Sequence, residues 1–309
     1  MSKIAFLFSG QGAQTVGMGK SFYESSEEAR RLMDRANELL PFDLKEICFD
    51  DSQGLINQTM YTQPAIFVVS QMALALLHKA DIQADVVAGF SLGEYSALCA
   101  ANAFNFEEGV TLVAKRGELM GDASDNGKMA AILGLDLEKV QAICDEASAK
   151  GIVEIANLNC PGQIVIGGEA DAVTYACEVA KSHGAKRALI LPVSGPFHTS
   201  LLKETAQTFG RLLEIQDLKE PQIPIVLNVL GNYYQPTLNL KDLMVKQMAS
   251  SVKWEASIRQ MIEDGVDTFI EVGPGKTLSG FVKKVDRSVK LLNVEDMKSL
   301  EATIKALQD

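Results

Sequence analysis

Two short segments of this 309-residue chain carry residues suited to nucleophilic chemistry. Gly89-Phe90-Ser91-Leu92-Gly93 fits the G-x-S-x-G pattern, with β-branched Val86 and Val87 before it and a helix-forming run, Leu92 to Ala101, after it. Paired glycines allow the tight strand-to-helix turn that exposes a serine hydroxyl, and the amide of Leu92 then points toward an anion at the helix N-terminus. A glycine-containing turn with an incidental serine shares the pattern, but strand before and helix after favour a catalytic Ser91. A serine nucleophile needs a base, and the chain has three histidines. His78 and His183 sit near predicted helix C-termini, where the dipole favours a cation, and read as structural. His198, in Ser194-Gly195-Pro196-Phe197-His198-Thr199, sits in a loop leaving a predicted strand and is the candidate base. No acid stands out as its orienting partner; several lie between Ser91 and His198, and a backbone carbonyl serves as well.

The N-terminal Ser9-Gly10-Gln11-Gly12-Ala13-Gln14 follows a β-like run and resembles a nucleotide loop, but the spacing fails. G-x-G-x-x-G needs glycine where Thr15 stands, and the P-loop patterns ending at Ser21 and Thr277 need glycine where Gln14 and Ile270 stand. A glycine-rich turn at the end of a strand can instead offer a second backbone N–H to an oxyanion, which acyl transfer requires.

Positioning these groups falls to alternating elements. Lys3 to Phe8, Val86 to Gly89 and Thr268 to Val272 read as strands; Pro64 to His78, the run from Leu92, Met244 to Asp264 and Thr277 to Val285 read as helices. That alternation predicts an α/β fold with a parallel sheet. The middle of the chain differs: strand 128–134, helix 136–149, strands 152–157 and 163–168, helix 169–183 and strand 186–193 follow the β-α-β-β-α-β order of a ferredoxin-like fold. Ser124-Asp125-Asn126-Gly127 and Gly195-Pro196 mark its limits. The expectation is a small domain, 126–197, inserted into a large α/β domain formed by 1–125 and 198–309, with the site in the cleft between them.

Composition agrees with a globular protein: 47% hydrophobic residues, with 40 acids against 29 bases for a net charge of −11. That acidity argues against nucleic acid and anionic membranes as partners. The longest apolar stretch, Pro64 to Leu77, is too short to span a bilayer and reads as a buried helix. Five scattered cysteines without a Cys-x-x-Cys pair fit reduced thiols and no zinc site, and no signal peptide is evident, so the expected compartment is the cytoplasm.

Gly10-Gln11-Gly12, Gly89-Phe90-Ser91-Leu92-Gly93, Arg116, Asn159-Cys160-Pro161-Gly162-Gln163, Phe197-His198 and Gly273-Pro274-Gly275-Lys276 together resemble the malonyl-CoA:acyl carrier protein transacylase family of bacterial fatty acid synthesis, over essentially the whole chain. The resemblance implies an α/β-hydrolase-like large domain with an inserted ferredoxin-like one. It implies that Ser91 takes the malonyl group as an ester, with His198 as base and then acid, and that the amides of Gln11 and Leu92 form the oxyanion hole. It implies that the carbonyl of Gln247 orients the histidine in place of an acid. Arg116 would by default be a solvated helix arginine near Glu118; the resemblance makes it the fork that binds the free malonyl carboxylate. Phe197 resembles the malonyl-type pocket, too narrow for an α-methyl. Phe90 departs from the family, which usually has histidine there.

The activity implied is ping-pong transfer of malonyl from malonyl-CoA to the phosphopantetheine thiol of acyl carrier protein, by a monomer with neither metal nor bound cofactor. Its rivals are a polyketide-pathway acyltransferase, an acyl-thioester hydrolase using the same serine and histidine, and a catalytically silent carrier-binding module. Both implied partners are acidic. Val272 to Lys290 carries five bases against one acid, a balance of +4 within an acidic chain, and the run Lys276–Lys290 is the expected place for a carrier protein to approach.

Overall fold

The computed structural model describes residues 2–123, 127–193 and 195–308. In chain order the elements are β1 (Ile4–Phe8), α1 (Lys20–Ser25), α2 (Glu27–Leu39), α3 (Leu44–Phe49), α4 (Thr59–Lys79), β2 (Val86–Gly89), α5 (Gly93–Ala100) and α6 (Phe106–Asp122). There follow β3 (Gly127–Leu133), α7 (Leu137–Ala147), β4 (Val153–Cys160), β5 (Gln163–Glu169), α8 (Ala170–Ser182), β6 (Arg187–Ile190) and α9 (Lys203–Glu214). The chain ends with β7 (Ile225–Leu227), β8 (Asn232–Tyr233), α10 (Leu240–Met248), α11 (Trp254–Glu263), β9 (Thr268–Val272), α12 (Thr277–Val285), β10 (Lys290–Val294) and α13 (Met297–Gln308). The chain divides into two compact units, one of residues 1–118, 217–227 and 259–309, the other of 119–216 and 228–258.

The first unit is built on parallel strands in the order β10-β9-β1-β2-β7. Ala5 to Phe8 and Val86 to Ala88 are wholly buried, as continuous apolar strands must be when helices cover both faces of a parallel sheet. The register sets Phe8 beside Gly89 on one side and Val272 on the other. Three strands therefore end in line, and the loops that leave them are the Gly10-Gln11-Gly12, Phe90-Ser91-Leu92 and Gly273-Pro274-Gly275 segments. Loops at the carboxyl ends of parallel strands are where α/β sheets bind ligands.

Helix α4 departs from expectation. It begins at Thr59, five residues before Pro64, and its 21 residues are long and apolar enough to cross a membrane. Burial decides its role: 83% of its most apolar window lies inside the protein, as a core helix does. Thr62 Oγ1 donates to the carbonyls of Ile56 and Gln58, which ties down the extra turn ahead of the proline.

The second unit contains an antiparallel sheet in the order β4-β5-β3-β6, with α7 and α8 packed on it through Ile132, Val140, Ile143, Ile166, Val173 and Ala176. This is the β-α-β-β-α-β order read from the sequence. Pro161-Gly162 makes the two-residue connection of β4 to β5, with Gly162 at φ 72°, the left-handed value a glycine takes without strain. The limit expected at 125/126 lies outside the described residues, as does Ser194. The stretch Met244 to Asp264 is not one helix: α10 stops at Met248, and Val252 pairs with the edge strand β4, its N–H donating to Ala156 and its carbonyl accepting from Leu158.

The glycines of the serine turn are required by backbone contact. A Cβ on Gly93 would lie 2.1 Å from the Phe8 carbonyl oxygen, and one on Gly89 would lie 1.9 Å from the backbone of Gly93. Gly280, on the exposed side of α12, would meet nothing within 4 Å. Gly93→Ala is expected to destabilise the fold by about 3 kcal/mol through overpacking against fixed backbone, and Gly280→Ala to stabilise it by about 0.5–1 kcal/mol through helix propensity. Denaturant unfolding of the two variants checks both signs.

Candidate active site

Ser91 sits at φ 53°, left-handed backbone that costs a non-glycine residue on the order of 1 kcal/mol or more. Its neighbours hold it there. Phe90 N–H donates to the Phe8 carbonyl at 3.0 Å, so the turn begins while still bonded to β1, and Gly93 N–H returns to the Phe90 carbonyl at 2.9 Å. Leu92 follows with helical dihedrals as the N-cap of α5, which puts its amide among the first N–H groups of that helix. Gly10 passes so close that a Cβ there would lie 2.3 Å from the Phe90 carbonyl oxygen. The Gln11 side chain donates to Thr59 Oγ1 at 3.1 Å. Phe90, where the family usually has histidine, is half-buried and tilts against Phe281 of α12, with 6.2 Å between ring centroids.

Arg116 stands out in burial. It is not a solvated helix arginine: its relative exposure is 0%, and Glu118 pairs instead with Lys115 at 2.7 Å. One guanidinium nitrogen donates to Gln63 Oε1 at 2.7 Å and another approaches Ser91 Oγ at 3.4 Å, while the guanidinium carbon lies 5.1 Å from the centre of the Tyr95 ring. Burial pushes the Arg116 pKa down, opposed by Tyr95 and by the carboxylate of Glu94. Burial likewise pushes the Tyr95 phenol up. A planar cation thus stands beside the serine hydroxyl in a place shielded from water, where it attracts an anion far more strongly than at a surface.

The remaining sequence-predicted residues lie in the second unit. His198 is buried and itself at φ 62°. Because α10 ends at Met248, its last carbonyls have no intrahelical donors, and His198 takes two of them: its ring Nδ1 lies 2.8 Å from the Gln247 carbonyl and its backbone N–H donates to Met248 at 3.2 Å. A carbonyl only accepts, so Nδ1 carries the proton and Nε2 is left with the lone pair. Phe197 and Gln247 are buried. The other histidines lie where expected, His78 in the last turn of α4 and His183 at the C-cap of α8, 3.9 Å from Glu146.

The sequence reading missed Gln63, whose amide anchors the guanidinium of Arg116. Its signal was a carboxamide directly preceding the apolar run of α4, a costly place for a polar group without a partner. Also missed was Glu94, buried beside Arg116 and visible in the sequence only as the residue after the second glycine of the serine motif.

Known proteins match this chain over essentially its whole length. The acyl transferase domain family model matches residues 5–307. The malonyl CoA-acyl carrier protein transacylase of Bacillus subtilis (strain 168) is 45% identical, the alignment covering 100% of this chain and 98% of the relative. The crystal structure of malonyl CoA-acyl carrier protein transacylase from Clostridium perfringens ATCC 13124 superimposes with a TM-score of 0.96 at 46% identity, covering 99% of this chain and 98% of that one. A solved complex of a type II PKS acyl-carrier protein with its malonyl-transacylase contains a chain that superimposes with a TM-score of 0.95 at 34% identity, covering 99% of this chain and 100% of that one. With a buried arginine at the strained serine, an α/β fold and this agreement from end to end, the chain belongs to the acyl transferase domain family, among its malonyl CoA-acyl carrier protein transacylases.

Proposed function

We propose that this protein transfers the malonyl group from malonyl-CoA to the phosphopantetheine thiol of acyl carrier protein through an ester on Ser91. The observation that carries the reading is the Arg116 guanidinium, fully buried and 3.4 Å from Ser91 Oγ. A buried cation at a nucleophile suits an acyl group that ends in a carboxylate. Acetyl would leave the guanidinium without that partner.

In this reading Ser91 Oγ attacks the thioester carbonyl while Nε2 of His198 takes the hydroxyl proton. The amides of Leu92 and Gln11 donate to the oxyanion, the carbon–sulfur bond breaks, and the CoA sulfur leaves with the proton from His198. The carrier thiol then gives its proton to His198 and attacks the ester, and the proton returns to Ser91. The Gln247 carbonyl holds the base in the required tautomer, the part an aspartate plays in other serine enzymes. Phe197 leaves little room for an α-methyl, which favours malonyl over methylmalonyl. The segment 126–197 is the inserted small domain in this assignment, supported by its own four-stranded sheet and core.

Lys283, Lys284, Arg287 and Lys290 are exposed on and after α12, while Lys276 pairs with Glu295 at 3.0 Å. Their charge supports the approach of acidic CoA and carrier protein on this side of the first unit. Five buried thiols and a core helix in place of a membrane span support the cytoplasm as the working compartment.

Two measurements test the reading. Incubated with malonyl-CoA, the wild-type protein is expected to gain one malonyl group by intact mass and Ser91→Ala none; an adduct on the variant refutes the ester. Arg116→Ala is expected to lower the ratio of malonyl to acetyl transfer by roughly a hundredfold, since a charge-assisted bidentate contact is lost for malonyl alone. Arg116→Lys restores only part of it, because an ammonium cannot make the two parallel bonds. Equal loss of malonyl and acetyl transfer refutes the clamp.

A further inference from the structure

We infer that Glu154, on β4, is a positioning residue that holds His198 in its working conformation; the inference rests on the reading of His198 as the base. His198 adopts left-handed backbone, and such a conformation persists in a non-glycine residue only when its surroundings over-determine it. Two of the restraints are the α10 carbonyls already described. The others lie on the C-terminal side of the histidine. Thr199 Oγ1 donates to the Pro196 carbonyl at 2.6 Å, and Ser200 donates twice to one carboxylate, its N–H to Glu154 Oε2 at 2.7 Å and its hydroxyl to Glu154 Oε1 at 2.5 Å. Ser200 opens the helical turn 200–202 that leads into α9, so the carboxylate satisfies an amide that the turn itself leaves unpaired.

The same strand also holds the histidine's partner. Ser251 Oγ bonds to the Ile155 carbonyl, Val252 N–H donates to Ala156 at 2.9 Å, and Leu158 N–H donates to Val252 at 2.9 Å, three contacts that fix the chain just after Gln247 and Met248. Residues 154–158 of β4 therefore anchor both the loop that carries the imidazole and the segment that follows the helix end whose carbonyl it bonds. A cavity of about 350 Å³, bordered by Gln141, Glu154, Ile155, Ser250, Ser251 and His198, lies beside this clamp. The Glu154–Ser200 pair borders that open space and adds two hydrogen bonds to the packing that buries the histidine loop.

The test is steady-state malonyl transfer and single-turnover acylation of Ser91 in the full chain, with thermal unfolding in parallel. Glu154→Ala is expected to lower kcat and the acylation rate roughly tenfold with KM within about twofold, the signature of a group that acts on the reacting arrangement and not on substrate binding. Glu154→Gln, whose amide can accept from the Ser200 N–H and donate to its hydroxyl, keeps at least about half the wild-type rate. Ser200→Ala loses roughly threefold, and the double variant loses no more than Glu154→Ala alone, because the two residues form one contact. A Glu154→Ala enzyme with wild-type kcat, beside an inactive His198→Ala, overturns the clamp and leaves the proposed function standing. A fully active His198→Ala overturns the reading beneath both. Should Glu154→Ala fail to fold, Ser200→Ala decides: a lower kcat at unchanged KM and Tm supports the clamp, and an unchanged kcat overturns it.

Discussion

The contact between the end of β1 and the serine turn is the constraint on which the first unit's chemistry depends. Phe8 accepts from the Phe90 amide and lies against Gly93 so closely that no side chain fits between them. The chain leaving β2 must therefore turn within a few residues. That turn forces Ser91 into left-handed backbone, brings Leu92 to the start of α5 and keeps Gly10 against the Phe90 carbonyl. The cost of the strained serine is borne by the buried central strands of the parallel sheet, whose register also lines up the loops after β1, β2 and β9.

Arg116 shows how a charge can be kept in such a place. Its desolvation is offset by an amide from α4, an aromatic face from α5 and the nearby Glu94 carboxylate. A carboxylate held by two parallel hydrogen bonds is the partner a guanidinium matches best, and malonyl brings one where acetyl does not. The site's selectivity in the proposed reaction follows from that difference. Burying the cation is unfavourable in isolation and becomes useful when the acyl group brings the opposite charge.

How much was legible follows the range of each interaction. The serine turn was readable because its glycines, strand and helix are adjacent in sequence, and the β-α-β-β-α-β unit was readable because its periodicities and turn residues are local. The break between α10 and α11 was not. Met244 to Asp264 has helical composition throughout, and the helix stops because Val252 pairs with β4, nearly a hundred residues earlier in the chain. That break is what frees the carbonyls His198 uses. A backbone carbonyl carries no residue identity, so composition could say only that no acid stood out; the family resemblance pointed to Gln247, whose carbonyl lies 2.8 Å from the His198 ring nitrogen.

The sequence by itself determined the fold class, the tight serine turn and the short list of histidines, because these rest on periodicity, on glycine geometry and on residue types that few positions share. Tertiary structure alone decided the full burial of Arg116, its hydrogen bond to Gln63, the bonding of Ser200 to Glu154, and the start of α4 at Thr59, ahead of its proline. Each depends on what a distant segment places against the residue. Desolvation and hydrogen-bond geometry are properties of that juxtaposition, and one-dimensional order does not contain them.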